Sequence, residues 1–281
     1  MVDFPLSQPE FEYQFGVRAL PTGELPFRQT ADAVNELHDK REIFAARRDE
    51  VFAMAEDSES ACRETAEWIN EIVPWVDDAS SDEQPLICAG LQVQEDIAVL
   101  KDDASLGFPI IGGLVCFPSG WSIRDKLGYS LGHTHEEVPG FSEQMLKRTS
   151  KLFESLRPLK TVYRHNWMVV PTPILSMLPS ESAKNGELRL GLTPESMGDH
   201  GYFRVEYQTL TRLPHTKAIV FTILTTRCKL NDLNDHQVRI LASVIRTIPD
   251  SVANYKRITP MRRALQEYLD QRAVVASETP L

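Results

Sequence analysis

The spacing of apolar residues changes several times along the chain, and each change marks a different kind of element. From Ala31 to Ala55, the residues Val34, Leu37, Ile43, Phe44, Val51 and Phe52 recur at three- and four-residue steps, which predicts an amphipathic helix. A second helix is expected over Glu59 to Val73, stopped by Pro74, and the acidic stretch Asp77 to Glu83 reads as a solvated loop. Ile97 to Leu100 and Ile110 to Phe117 are apolar, β-branched runs separated by Asp102, Asp103 and Gly107, the pattern of a strand pair. Helical spacing returns from Phe141 to Leu156, and Tyr163 to Val170 is again extended. Pro171 to Gly201 reads as a long excursion with one short strand at Leu188 to Leu192. A hairpin follows, Tyr202 to Leu213 and Ala218 to Cys228 around Pro214 to Lys217. In its first strand Arg204, Glu206 and Gln208 alternate with Phe203, Val205 and Tyr207, so the three polar residues share one face, which either meets water or lines a pocket. Helices over Asp235 to Ile248 and Pro260 to Val274 close the chain.

Helices at both ends of a central, mostly antiparallel sheet predict an α+β fold. One domain over 1–281 accommodates it: an extended arm (1–30) with Phe11, Tyr13, Phe15, Pro21 and Pro26, a helical region (31–92), a sheet core (93–230) and C-terminal helices (231–274). An apolar share of 42% and a charged share of 25% are enough for a sizeable core without metal or disulfide staples. The net charge of −10 disfavours nucleic acid and anionic membranes as partners, and favours a small or cationic ligand or a basic protein. No apolar run approaches the roughly 20 residues of a membrane span. The first ten residues lack the basic start and apolar run of a secretory signal, so a cytoplasmic location is expected. Cys62, Cys88, Cys116 and Cys228 are scattered without a C-x-x-C pair and read as reduced thiols.

Neither G-x-G-x-x-G after a strand nor a phosphate-binding P-loop occurs, which removes most of the weight from dehydrogenase and kinase readings. Polar residues concentrate between Gln94 and Pro214, in three clusters: Cys116 to Trp121 continuing through Lys126, Gly128, His133 and His135; Arg164 to Trp167; and Arg204 to Pro214. His133 and His135, two apart, are ordinary hydrogen-bonded histidines or ligands for a metal or haem, since neutral imidazole is a common ligand for iron or zinc. Ser119, between Pro118 and Gly120, reads as a turn or cap and not as a nucleophile. Arg164, Arg204 and Arg212, on strands, require anionic partners, either an acid such as Glu206 or the carboxylate of a ligand. Trp121 and Trp167 are core residues or pocket walls.

Taken in order, these clusters resemble the haem-dependent oxidative N-demethylase family, specifically its haem-carrying α subunit, from about Phe15 to Leu269. The resemblance rests on Val93-Gln94-Glu95-Asp96, Cys116-Phe117-Pro118-Ser119 with Trp121, Lys126-x-Gly128, His135 before Val138-Pro139, Arg164-x-Asn166-Trp167, Gln208-Thr209-Leu210 with Arg212-Leu213-Pro214, and Phe221-Thr222-Ile223. It implies a PAS-like sheet holding haem b through a histidine, here His135 with His133 as the alternative. It further implies oxygen activation at the iron, oxidative demethylation of a small amine, and electrons from a separate flavin and iron–sulfur reductase. Lys126, Arg164, Arg204, Arg212 and Trp167 are then candidates to contact the cofactor, and Glu206, Tyr207 and Gln208 to act in the catalytic pocket. Two positions depart from the family pattern: Tyr207 stands where an arginine is usual, and Glu137 where a proline is usual. Alternative readings are a non-enzymatic PAS-like haem or small-molecule sensor, and a relative without haem.

Overall fold

The computed structural model describes residues 2–12, 16–73, 83–141 and 143–278, the last four of them by their backbone. The chain runs β1 (Arg18–Ala19), α1 (Ala33–Val51), β2 (Phe52–Met54), α2 (Glu59–Ile72), α3 (Pro85–Gly90), β3 (Asp96–Leu100), β4 (Ile110–Leu114), α4 (Ile123–Lys126), α5 (Leu131–Thr134), α6 (Glu143–Ser155) and β5 (Val162–Val170). It continues through α7 (Ser182–Leu190), α8 (Pro194–His200), β6 (Tyr202–Arg212), β7 (Ile219–Lys229), α9 (Asp235–Thr247), α10 (Asp250–Tyr255) and α11 (Arg262–Glu278). The strands form one seven-stranded sheet in the order β1-β5-β6-β7-β3-β4-β2, with every neighbouring pair antiparallel. The fold is α+β, as the alternation of patterns predicts.

The sheet is built outward from the β6–β7 hairpin, whose eleven paired positions run from Tyr202 opposite Lys229 to Arg212 opposite Ile219. Its turn is tied down from outside the hairpin, because the Glu64 carboxylate of α2 accepts the amides of His215 and Thr216, both at 2.7 Å. On one face of the sheet α2 and α3 pack against Ile97, Val99 and Val220, while α9 and α11 pack against Val169, Phe203 and Val205. α9 begins with a capping box between Asn234 and Gln237, and its buried Val238, Leu241, Val244 and Ile245 follow helical spacing.

On the other face, β3 turns a buried carboxylate toward the chain leaving β4. Asp96 accepts the amides of Cys116 and Phe117, each at 2.8 Å. Lys40 of α1, itself 0% exposed, lies 4.0 Å from Asp96 and donates to the carbonyls of Val93 and Glu95 at 2.9 and 2.6 Å. Arg204 donates to the Phe117 and Leu175 carbonyls, both at 2.6 Å. These bonds fold the 116–121 strip back over the sheet.

Several expectations are corrected. The short strand at Leu188 to Leu192 is absent: α7 covers Leu188 and Leu190, which are exposed, while Asn185 and Arg189 are buried one helical turn apart. The alternating leucines mimic a strand, but the buried positions follow the helix. The helix expected to Ala55 ends at Val51, and Phe52–Met54 instead joins β4 as an edge strand. The second helix ends at Ile72. The loop expected at Asp77 to Glu83 lies, apart from Glu83, outside the described residues, as do Tyr13 and Phe15 of the arm. Among the described residues no helix is long and apolar enough to cross a membrane.

Two measurements check the buried ionic layer. Lys40→Met leaves Asp96 without its nearby cation and is expected to lose about 3–5 kcal/mol in denaturant unfolding. Burial pushes Glu95 up to about 7, against the opposing pull of the Arg28 amide bond and Lys40. A raised acid pKa means that the folded state keeps a proton which the unfolded chain has released. The stability this contributes is full below about pH 4.5 and is lost as pH rises towards 7. Glu95→Gln is therefore expected to show a flatter melting profile than the natural chain across that window.

Candidate functional site

The pairing register decides which side chains meet. Arg164 lies opposite Gln208, Asn166 opposite Glu206 and Met168 opposite Arg204, so these six share a face, as the alternation within β6 predicts. The same face continues across Gln208 to Ile223 and across Leu210 to Phe221, then to Ala98 opposite Phe221. Over it lies a cavity of about 1200 Å³, larger than the roughly 300–1,000 Å³ of an ordinary small-molecule site. Its lining comes from α5, α6, the strip at Ser119 to Trp121, residues around α10 and the N-terminal arm, and the same space continues round the β5 edge to His165 and Val244. The polar face thus lines a pocket.

On its α5 side the cavity is lined by His135 with Leu131, Val138 and Phe141. Ser130 caps α5 by accepting the His133 amide at 3.2 Å, and the Leu131 amide is fixed by the Gly107 carbonyl at 2.7 Å. His135 follows directly, stacked on Phe141 with ring centroids 4.6 Å apart. Its Nδ1 lies 2.8 Å from the Leu131 carbonyl. A carbonyl can only accept, so Nδ1 carries the hydrogen and Nε2 of the neutral ring keeps its lone pair. Burial pushes the His135 pKa down, the Leu131 bond opposes this, and the charges of Arg164 and Lys126 add to the fall. His133 is placed differently. It stacks on Tyr129 at 3.7 Å, lies 3.7 Å from Glu136 with half its side chain exposed, and is not among the residues lining the cavity.

The sheet side is polar. Glu206 accepts from Ser119 Oγ at 2.8 Å, Gln208 Nε2 at 3.0 Å and Asn166 Nδ2 at 3.2 Å. Only one of these bonds falls on Oε1, so that oxygen keeps acceptor capacity. Arg164 lines the cavity and buries an Nε without a hydrogen-bond partner. Desolvation lowers its pKa, with Glu206 and Tyr255 pulling the other way. Lys256 donates to the Trp167 carbonyl at 2.7 Å and to Asn166 Oδ1 at 3.1 Å. Burial brings Lys256 down to about 8, with Glu206 opposing and Arg164 reinforcing.

The remaining sequence candidates fall elsewhere. Arg204 is spent on two carbonyls and lies 3.9 Å from Glu206. Arg212 donates to the carbonyls of Phe153, Leu156 and Lys217 and pairs with Asp102. Neither is among the residues lining the cavity. Tyr207 points to the opposite face, paired with His165, and the Arg28 guanidinium sits 3.6 Å over its ring. Trp167 belongs to the core on that face and also reaches the cavity where it turns the edge of β5. Glu137 lines the cavity from an exposed position.

Lys256 escapes sequence reasoning because nothing in Asn254-Tyr255-Lys256 distinguishes it from a surface lysine. Ser119 was legible only as a turn. Its pairing with Glu206 spans 87 residues.

Among the described residues no group of three or more His, Cys, Asp or Glu side chains is arranged to hold a bare metal ion. A macrocycle that brings its own four equatorial nitrogens asks less: one axial imidazole, apolar walls and cations for its carboxylates. His135, the apolar residues Leu131, Phe153 and Phe221 of the wall, and Arg164 with its free Nε together with Lys126 fit such a group. A model of the family described as haem-dependent oxidative N-demethylase, alpha subunit-like, matches residues 70–266 of this chain, more than half of its length. One consequence of the electrostatics is open to titration. Removing the Arg164 charge in Arg164→Gln is expected to raise the His135 pKa toward its ordinary value without restoring it, because burial is the larger cause. The imidazole resonances in an NMR pH series give the answer.

Proposed function

This chain belongs to the haem-dependent oxidative N-demethylase alpha subunit-like family, and from that premise we propose that it is a haem b oxygenase that removes an N-methyl group from a small amine. The observation that carries the reading is the shared cavity: a neutral imidazole with its Nε2 lone pair on the α5 side and a buried carboxylate held by three donors on the sheet. When bound, haem would supply oxygen activation at its iron, the chemistry that gives the family its name.

His135 would be the residue that holds the haem, oriented by the Leu131 carbonyl and by its stack on Phe141. Lys126 and Arg164 would face the propionates, for which the planar guanidinium is suited. Leu131, Phe153 and Phe221 would form dry walls that keep water from the reacting atoms. Glu206 would bind the ammonium form of the amine through its free acceptor capacity and hold the proton the amine must release to react. Ser119, Asn166 and Gln208 fix the carboxylate for that task. Gln208 would therefore act through Glu206, and Tyr207, on the opposite face, would not touch the substrate. Electrons would come from a separate flavin and iron–sulfur reductase, and a PAS-like description of the sheet accords with the same reading.

The purified chain supplied with haem is expected to develop a Soret band that His135→Ala abolishes and His133→Ala retains. With an electron donor, oxygen and dimethylamine it should release formaldehyde. Glu206→Gln should keep the Soret band and lower the rate by about 10²–10⁴, the range for a lost proton acceptor. A natural chain without the band would end this reading, whereas a band without formaldehyde from any methylamine would make the protein a sensor.

A further inference from the structure

Behind the cavity wall lies a second concentration of positive charge. Arg189 of α7 is 2% exposed. Its Nη1 donates to the Asn185 carbonyl at 3.1 Å, while Nε and Nη2 are buried without a partner. The charge nearest in effect is another cation: burial and then Arg257 bring Arg189 down to about 10. Arg257 lines the cavity, and the turn Thr259–Met261 that follows it packs on α7. Its guanidinium lies flush against Gly120, where a Cβ would fall 2.5 Å from Nη2 and 2.7 Å from Cζ. Its one bond there, to the Gly120 carbonyl, is long at 3.5 Å. Beside this strip Ser176 buries an Oγ that also lacks a partner, next to Met177, whose carbonyl accepts the Gly120 amide at 2.7 Å. Among the described residues neither guanidinium has a carboxylate in ion-pair range; the ion pair of α7 itself joins Lys184 to Glu181.

A buried guanidinium with two unpartnered nitrogens and no carboxylate in reach is costly, and folds tolerate it where an anion completes the charge. The fork of Arg189 Nε and Nη2 matches the two oxygens of a carboxylate. We propose that Arg189, with Arg257 near it, forms a carboxylate-binding site where α7 meets the turn Thr259–Met261, separate from the Glu206 carboxylate of the cavity. The carboxylate is either a free small acid or a haem propionate reaching past Arg257, and only the second source rests on the function proposed above.

Thermal melting of the whole chain separates these cases. In sodium chloride alone, Arg189→Met should melt above the natural chain, since it removes a buried charge with no counterion. A lower melting temperature would overturn the proposal by showing that the protein itself satisfies the arginine. Sodium acetate at matched ionic strength should raise the natural chain by about 2–4 °C and leave both Arg189→Met and Arg189→Lys unmoved if the source is a free acid. If the source is a propionate, acetate has no effect. Haem should then stabilise the natural chain more than its dimethyl ester does, with the difference lost in Arg189→Met. Equal responses to acetate, haem and ester in natural and variant chains overturn the site. Absence of a Soret band with either porphyrin removes the haem reading, and the acetate result then decides the site alone.

Discussion

The cavity depends on a carboxylate that never reaches it. Asp96, at the start of β3, takes the two amides of Cys116 and Phe117 and thereby reverses the chain as it leaves β4. Such a carboxylate cannot be buried alone. Burial pushes Asp96 up to about 6, while Lys40, these two amide bonds and Arg204 hold it down. The same two cations are anchored on carbonyls of the chain they compensate: Lys40 on Val93 and Glu95, Arg204 on Phe117 and Leu175. The layer is thus both an electrostatic solution and a set of covalently distant tethers. Without it the 116–121 strip has no reason to lie over the sheet.

What the strip then delivers is Ser119. Its hydroxyl reaches Glu206 from a loop, while Asn166 and Gln208 reach the same carboxylate from neighbouring strand positions. Three donors from two elements of the sheet and one loop leave the carboxylate little freedom, the condition a positioned acid or base needs. Cations surround the same carboxylate, with Arg164 and Lys256 both responding to Glu206. The cavity thus holds a largely buried imidazole on its α5 side and a carboxylate on the sheet, with Arg164 acting electrostatically on both.

The departures from the family pattern have different weights once placed. Tyr207 lies on the far face of the sheet under Arg28 and is not itself among the lining residues, so it bears on the cavity only through Arg28, Tyr163 and His165, which it packs against. Glu137 stands on the wall from an exposed position, adding negative charge at the cavity on the His135 side.

Much of the sheet was legible in the sequence. The period-two alternation of β6 determined that Arg204, Glu206 and Gln208 share a face, and the helical spacing of 235–248 determined an amphipathic helix, because both are local consequences of backbone geometry. Leu188, Leu190 and Leu192 misled, since a short alternating run does not say which of its neighbours is buried. Only the tertiary structure decided which of two nearby histidines lines the cavity, which arginines are consumed by carbonyls and which stay unpartnered, and that Lys256 and Arg189 are buried at all. Local periodicity fixes the direction of a side chain relative to its own backbone. Burial and charge pairing depend on chain segments tens of residues away, and their contact is set only when the whole sheet closes.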